Sequence, residues 1–178
     1  MLKLITPYVY FEGICEIDIK KLENEGVRTL LFDADNTITT WNCPDIDEKV
    51  LAWFRELAAS GIRGCIISNN SAERLQGIAD TFGLDFVAKA RKPLPFGYKK
   101  AMTLMNSDKE STMMVGDQLF TDVLGANLAG IRAILLKPIS TLHEFRGTRI
   151  NRKLEKAVMK SVMKKMKKQQ QKRQAANN

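Results

Sequence analysis

The chain has 178 residues, of which 44% are hydrophobic and 27% are charged. This length and composition suit one globular domain, and they exclude a disordered chain and an assembly of several domains. The net charge is +8, but residues 149–178 hold 11 Lys or Arg and one acid, so the first 148 residues carry 17 bases and 19 acids. The excess positive charge therefore belongs to the C-terminal segment.

The sequence contains no apolar run of the roughly 18 residues that a membrane-spanning helix needs. The apolar start is broken by Pro7 and followed by Glu12, which does not fit a signal peptide. These features predict a cytoplasmic protein. The three cysteines are widely spaced and the chain has one histidine, so a zinc site, a disulfide framework and Cys-His catalysis are not favoured.

The first 26 residues are rich in large apolar side chains, and we interpret residues 1–26 as a segment that covers a sheet rather than a membrane-touching hairpin. Short apolar runs then alternate with stretches of helical period. The predicted strands are 27–32, 62–67, 84–88, 112–115 and 131–136, and the predicted helices are 46–59, 72–82, about 93–105 and 122–129. This alternation predicts an α/β fold with a parallel sheet of about five strands and helices on both faces.

The C-terminal segment has apolar residues at every fourth position between lysines and arginines. They are Ile150, Leu154, Val158, Val162 and Met166. This pattern predicts a basic amphipathic helix, which could lie on an anionic bilayer, stay solvated or coiled-coil-like, or bind RNA. The segment contains no aromatic residue, which argues against base stacking on RNA. We therefore divide the chain into a covering segment 1–26, a core domain 27–148 and a basic tail 149–178.

Two carboxylates follow the first predicted strand of the core domain, Asp33 and Asp35. Residues two positions apart at a strand end point to the same side, toward the crevice where open α/β sheets bind ligands. Like charges this close are unfavourable without a cation or a shared proton, so the pair indicates Mg²⁺ or a shared proton. The same residue types also suit an ordinary capped turn.

Polar residues also follow the later predicted strands. Ser68, Asn69 and Asn70 offer a hydroxyl and backbone N–H groups at a helix start, where they could bind phosphate or simply cap the helix. Lys92 comes after the third strand, and the segment Gly116–Asp122 follows the fourth with an aspartate at position 117 and another at its end. Their order at successive strand ends favours one shared site.

In this order the segments DADNT, SNN, the pair Lys92-Pro93 and GDQLFTD resemble the four motifs of the haloacid dehalogenase (HAD) superfamily of phosphatases. The segments DADNTITTW, ISNNSAERL, ARKPLPFGYKKAM and VGDQLFTDVLGANLAGIRAILLKP resemble more narrowly the YqeG-type (class IIIA) phosphatases, relatives of the mitochondrial phosphatidylglycerophosphate phosphatase. The resemblance covers about residues 7–138. It implies an HAD-like Rossmannoid fold and a Mg²⁺ cofactor.

The resemblance also implies roles for the aspartates. Asp33 would be the nucleophile that forms an aspartyl-phosphate, and Asp35 would be the general acid and then the general base. Mg²⁺ would be held by Asp33, Asp117 and the backbone carbonyl of Asp35, with Asp122 supporting the site directly or through water. The catalytic residues expected are thus Asp33 and Asp35, and the metal ligands are those two together with Asp117 and Asp122.

By the same resemblance, Ser68, Asn69 and Lys92 would bind the phosphoryl oxygens, and Thr37 is a secondary candidate. The intervals 37–68 and 70–92 are too short to hold a cap domain, so we expect an open site. An open site favours a large or surface-bound phosphomonoester, or it needs a second subunit as a lid.

The expected substrate is an anionic lipid head group, that of phosphatidylglycerophosphate, with peripheral contact to the inner face of an anionic membrane through residues 149–178. No nucleic acid partner is expected, and the sequence does not determine the oligomeric state. The alternatives are a HAD phosphatase of a nucleotide, sugar phosphate or phosphoprotein, a phospho-accepting receiver-type domain, and a non-catalytic RNA- or partner-binding protein of the same fold.

Overall fold

The computed structural model describes residues 2–40, 46–140 and 146–176. Its strands are β1 (Val9–Phe11), β2 (Thr29–Phe32), β3 (Arg63–Ile67), β4 (Asp85–Val87), β5 (Thr112–Gly116) and β6 (Arg132–Leu136). Its α-helices are α1 (Ile19–Asn24), α2 (Glu48–Ser60), α3 (Ala72–Phe82), α4 (Pro95–Leu104), α5 (Leu124–Ala129) and α6 (Arg146–Ala176). A 3₁₀ turn (Ile14–Glu16) precedes α1, and a π-helical turn (Leu119–Val123) precedes α5.

The six strands form one parallel sheet in the order β1-β6-β5-β2-β3-β4. From β2 the chain moves outward through β3 to β4, and then crosses to β5 on the other side of β2. This reversal opens a crevice between the carboxyl ends of β2 and β5, which is where sheets of this kind bind ligands. The predicted α/β fold with a parallel sheet is confirmed.

The sixth strand, β1, lies within the segment that we interpret as a cover over the sheet. It pairs with β6 in the register Val9↔Ile134 to Phe11↔Leu136 and so forms one edge of the sheet. Its three residues are all partly exposed. A strand this short, without a fully buried face, leaves no period-two pattern in the sequence, because that pattern needs several alternating positions.

Two apolar clusters cover the two faces of the sheet. Along β2, Phe32 packs in one cluster with Trp53 of α2, whereas Leu31 packs in the other with Tyr98 of α4. Successive strand residues point to opposite faces, so the uninterrupted apolar run of β2 is what a strand buried on both sides requires. The helices therefore lie on both faces, as the sequence predicts.

The helix predicted at 122–129 differs in its first turn. The structure forms a π-helical turn over Leu119–Val123, in which the Val123 N–H bonds to the Gln118 carbonyl at 3.2 Å, and regular α-helix begins only at Leu124. A π turn holds one more residue than an α turn, and such turns are frequent at functional sites. The turn carries Asp122 at the carboxyl end of β5.

The basic C-terminal segment forms most of α6, and much of its apolar stripe packs on the rest of the protein. Val162 is fully buried, Met166 is 4% exposed and Val158 packs partly buried against the cluster that contains Leu31, whereas Leu154 is 54% exposed. The side chain of Ile150 lies outside the described residues. The expected contact between this tail and a membrane stays a prediction. Among the helices described, none combines the length and the apolar content needed to cross a bilayer.

Candidate active site

The carboxyl ends of β2 and β5 place two aspartates at the same edge of the sheet. Phe32 pairs with Val115, and the next residue, Asp33, donates its backbone N–H to the Val115 carbonyl at 2.9 Å. Asp117 follows one residue beyond the end of β5. Both residues are buried, with exposures of 6% for Asp33 and 2% for Asp117. The strand pairing thus brings together two residues that are 84 positions apart in the chain.

Asp122 completes a cluster of three buried carboxylates with Asp33 and Asp117, in which one oxygen atom from each residue lies within 4.8 Å of the other two. The Lys92 ammonium donates to Asp33 Oδ1 at 2.6 Å and to Asp122 Oδ1 at 2.7 Å. Burial raises the pKa of Asp33 to about 7; the Lys92 charge opposes this rise, and the neighbouring Asp122 and Asp35 add to it. Burial by itself lowers the pKa of Lys92, but the carboxylates of Asp122 and Asp33 outweigh it and keep the pKa above its usual value. Lys92 is therefore a fixed positive charge within the cluster.

Asn69 fixes the loop that carries Lys92. Its amide Nδ2 donates to the Lys92 carbonyl at 3.1 Å, and its Oδ1 accepts from the Lys92 backbone N–H at 2.6 Å. This pair of bonds joins the loop after β3 to the loop after β4. The contact that the structure shows for Asn69 is thus with the protein backbone, and its phosphate contact stays a prediction.

Gly116 allows Asp122 to fold back against the end of β5. A Cβ atom at Gly116 would lie 2.5 Å from the Asp122 carboxyl carbon, closer than real Cβ contacts come. The Asp122 carboxylate also accepts the Gln118 backbone N–H at 3.1 Å. In the same turn the Tyr98 hydroxyl donates to the Thr121 carbonyl at 3.0 Å. The glycine of the GDQLFTD segment is therefore required by the close approach of this aspartate.

The Asp35 carboxylate is not a member of the three-carboxylate cluster, although its charge contributes to the raised pKa of Asp33. Its carboxylate accepts from Asn70 Nδ2 at 2.5 Å and forms an ion pair with Arg74 of α3. The sequence reasoning did not single out Arg74. The sequence signal that could have found Arg74 is its four-residue spacing from Asn70. Residues four apart at a helix start lie on the same side of the helix, so both side chains can reach the crevice from which α3 begins. The cluster that could hold a cation does not include the Asp35 side chain, and metal contact through its backbone carbonyl stays a prediction.

The remaining polar candidates also lie at this edge. Ser68 is 2% exposed, and its hydroxyl accepts the Asn70 backbone N–H at 3.2 Å. Thr37 is equally buried and donates its hydroxyl to Asp117 Oδ1 at 3.3 Å. The sequence-predicted residues thus gather at the ends of β2, β3, β4 and β5, and their catalytic and binding roles stay predictions.

Helix α6 adds two side chains that the sequence reasoning missed. The Arg152 guanidinium forms an ion pair with the Asp117 carboxylate and donates to the Asp117 carbonyl at 2.6 Å. Glu155 Oε1 accepts the Leu119 backbone N–H at 2.6 Å, at the start of the π-helical turn. Burial raises the pKa of Asp117 well above its usual value, and the Arg152 charge opposes the rise. A tail interpreted as separate from the core domain offers no signal for these contacts, because only tertiary packing creates them.

The cluster fits a divalent metal ion. Lys92 and Arg152 do not fully offset the burial of three carboxylates, since the pKa values of Asp33 and Asp117 stay above their usual value, and a bound cation would favour their charged forms. Carboxylate oxygens are the donors that hard cations such as Mg²⁺ prefer. Asp33, Asp117 and Asp122 could therefore hold such an ion.

The metal-free protein is expected to lose stability as the pH rises from about 5 to about 7. The pKa values of Asp33 and Asp117 are raised on folding, so the folded protein holds protons that the unfolded chain has already released. Each such group lowers the free energy of unfolding by up to about 1.4 kcal/mol per pH unit in this window. Urea unfolding in EDTA at several pH values measures the slope. A free energy of unfolding that rises across the window would contradict it, and Asp33→Asn should make the slope shallower.

Comparisons with known proteins agree with this geometry. A family model described as haloacid dehalogenase-like hydrolase matches residues 41–130. A Bacillus subtilis (strain 168) protein named "Probable phosphatase YqeG" is 34% identical over 88% of this chain and 91% of its own length. The Arabidopsis thaliana "Phosphatidylglycerophosphate phosphatase 1, chloroplastic/mitochondrial" is 25% identical over 88% of this chain and 48% of its own length. A crystal structure of an uncharacterized Listeria monocytogenes serotype 4b protein shares the fold, with a TM-score of 0.54 and 23% identity over 67% of this chain and 84% of that chain.

Proposed function

This chain belongs to the haloacid dehalogenase-like hydrolases and is a phosphatase, and from this premise we propose that it hydrolyses a phosphomonoester through an aspartyl-phosphate formed on Asp33. The observation that carries the proposal is the buried cluster of Asp33, Asp117 and Asp122 with the Lys92 ammonium 2.6 Å from Asp33. A carboxylate in this position can attack phosphorus because phosphoryl transfer depends mainly on positioning and charge stabilisation.

In the first half-reaction, an Asp33 oxygen bonds to phosphorus and the bond from phosphorus to the alcohol oxygen breaks. The Asp35 carboxyl gives its proton to the departing alcohol. In the second half-reaction, Asp35 takes a proton from water, the water oxygen bonds to phosphorus, and the bond to Asp33 breaks to release inorganic phosphate. Asn70 and Arg74 orient the Asp35 carboxylate, and because it is not a member of the three-carboxylate cluster, a metal ion held by that cluster would not need its side-chain oxygens.

Two side chains would bind the phosphoryl oxygens. Lys92 brings its charge between Asp33 and Asp122, and Ser68 lies buried at the end of β3 with its hydroxyl at the start of the loop to α3. We assign the metal as Mg²⁺, held by Asp33, Asp117 and Asp122, where it would neutralise negative charge on the phosphoryl group.

The substrate that we propose is phosphatidylglycerophosphate, acted on at the inner face of an anionic membrane. The name of the Arabidopsis relative supports this choice, and so do the two short intervals between the site segments. Between Thr37 and Ser68 the described residues form α2 and β3, and between Asn70 and Lys92 they form α3 and β4. Neither interval holds an inserted domain within the described residues, and a site without an inserted cap domain suits a substrate that remains in a lipid surface.

Phosphate release from phosphatidylglycerophosphate in mixed micelles tests the proposal, beside a panel of nucleotide, sugar and protein phosphomonoesters. We expect turnover with Mg²⁺, loss of turnover with EDTA, and a kcat/KM for the lipid at least about tenfold above that for any soluble ester. The Asp33→Asn protein, purified in the same way, is the control for contaminating phosphatases. Metal-dependent turnover of soluble esters alone would keep the mechanism and reject the lipid substrate, and no phosphate release from any ester would reject both.

A further inference from the structure

The loop that leads into α4 and the first turn of that helix each expose a large apolar side chain beside the crevice. Leu94 is 47% exposed and Phe96 is 68% exposed. Leu94 stands two residues after Lys92, whose ammonium reaches Asp33, and the Asn69 amide fixes the backbone of that loop. Leu94 therefore ends a loop that Asn69 holds in place, and Phe96 follows it in the first turn of α4, at the carboxyl edge of the sheet where the crevice opens.

The segment that contains these side chains is strongly basic. Residues 86–107 contain five Lys or Arg and no acid. Four of the five cations are exposed and lie on the loop or on α4: Lys89, Arg91, Lys99 and Lys100. An exposed apolar pair among cations, without a compensating carboxylate in the segment, complements a surface that is anionic outside and apolar beneath.

Exposed apolar side chains also lie on the opposite side of the crevice, near the ends of β5 and β6. Leu154 of α6 is 54% exposed and lies between the exposed Lys153 and Lys156 in the turn where Glu155 binds the Leu119 backbone N–H. Ile139, after β6, is 52% exposed, and its backbone N–H bonds to the Asn36 carbonyl at 3.0 Å. Exposed apolar residues thus flank the crevice at both ends of the carboxyl edge.

We propose that the crevice rim, formed by Leu94, Phe96, Ile139 and Leu154 with the cations around them, docks on an anionic lipid bilayer. In this orientation the apolar side chains enter the interface, the lysines and arginines meet lipid phosphates, and the crevice opens toward the head groups. The inference rests on the proposed lipid substrate for its purpose, but the rim is a surface of its own. It differs from the basic tail as a whole, because Val162 and Met166 are buried in the protein and cannot enter a bilayer.

A bilayer fits the rim better than a nucleic acid does. Four exposed aliphatic or aromatic side chains lose unfavourable contact with water when they enter a membrane interface. Binding of single-stranded RNA would instead use several aromatic platforms, and Phe96 is the one aromatic side chain among the four rim residues.

Co-sedimentation of the full chain with vesicles tests the proposal. The probes are vesicles of phosphatidylcholine alone and of an equal mixture of phosphatidylcholine and phosphatidylglycerol. We expect binding to the mixed vesicles that weakens as salt is added. The double variant Leu94→Ser with Phe96→Ser should bind at least about tenfold more weakly, because two apolar side chains no longer enter the interface. The double variant Lys99→Gln with Lys100→Gln should bind about tenfold more weakly at low salt.

Matched control variants change the same residue types away from the rim. Leu128→Ser removes a leucine that is 46% exposed near the end of α5, and Lys20→Gln with Lys21→Gln removes two exposed cations from α1. Both controls should keep wild-type binding to the mixed vesicles. All variants should hydrolyse a soluble phosphomonoester within about twofold of wild type, because none of them replaces a residue to which we assign a catalytic, metal-binding or phosphate-binding role.

The outcomes separate this inference from the proposed substrate. Absence of wild-type binding to anionic vesicles, or equal weakening in rim and control variants, would overturn the rim as a docking surface. Binding of single-stranded RNA is measured in parallel. If the rim variants lose RNA binding but keep vesicle binding, the rim is a nucleic-acid surface and the proposal is overturned. Rim-dependent vesicle binding by a protein that hydrolyses soluble esters alone would support the docking surface while rejecting phosphatidylglycerophosphate as the substrate.

Discussion

Replacing Asp33 with asparagine is expected to lower kcat for phosphomonoester hydrolysis by at least about 10⁴-fold while the protein stays folded. An amide of nearly the same shape is not a nucleophile toward phosphorus, so no aspartyl-phosphate can form. The fold should persist because the substitution removes one of three buried carboxylates that lie within 4.8 Å of one another, and Lys92 keeps its contact with Asp122. Phosphate release and urea unfolding of the same preparation measure the two effects.

Asp80→Asn is the matched control for that substitution. Asp80 lies exposed on α3 and accepts a hydrogen bond from Gln76 at 2.8 Å, so its loss should change the free energy of unfolding by no more than about 0.5 kcal/mol and leave kcat unchanged. An Asp33→Asn protein with activity near that of wild type would show that Asp33 is not the nucleophile. If the Asp33→Asn protein does not fold, the Asp33→Glu protein tests the role of Asp33 instead. Glutamate keeps the negative charge but displaces the carboxylate, so this variant should also lose turnover.

Replacing Lys92 with methionine should destabilise the metal-free protein by about 3 to 5 kcal/mol at neutral pH. The ammonium is buried and contacts both Asp33 and Asp122, so its removal leaves these carboxylates without their shared cation in a region of low dielectric constant. Activity should also fall by about 10²- to 10³-fold, since a charge that would face the phosphoryl oxygens is lost. Urea unfolding in EDTA measures the stability change.

Two further variants distinguish loss of charge compensation from loss of packing. Lys99→Met removes an exposed lysine from α4 and should alter the free energy of unfolding by no more than about 0.5 kcal/mol. Adding Asp122→Asn to Lys92→Met should recover part of the lost stability, because one of the uncompensated carboxylates becomes neutral. Equal free energies of unfolding for Lys92→Met and wild type in EDTA would contradict the buried ion-pair arrangement. If the double variant recovers no stability, the destabilisation by Lys92→Met is due to lost packing rather than to lost charge compensation.

The secondary structure was predictable where local patterns are strong. The helix at 72–82 has the bounds predicted from its apolar period and from Gly83, and the strands agree to within about two residues with buried runs between turn signals. Prediction failed where the pattern is short or irregular. The edge strand β1 is too short to show alternation, and the π-helical turn at Leu119–Val123 depends on how Asp122 packs against Gly116.

The candidate site was predictable to the extent that topology brings strand ends together. Once Asp33 and Asp117 are assigned to the ends of strands in a parallel sheet, the reversal between β2 and β5 makes them neighbours. The contacts of Asp35 were not predictable in this way, since the direction in which its carboxylate turns depends on Asn70 and Arg74 at the start of α3.

The sequence by itself determined the fold class and which aspartates, serine and lysine reach the crevice, because both depend on local periodicity and on the chain order of strand ends. Tertiary structure alone decided the place of α6. Its Arg152 meets Asp117, which lies 35 positions earlier in the chain, and its Val162 enters the apolar cluster that contains Leu31. Such long-range pairings leave no periodic trace in the sequence. The same is true of the crevice rim, because exposure is a property of packing: apolar residues such as Leu94 and Phe96 look like core residues until the fold leaves them at the surface.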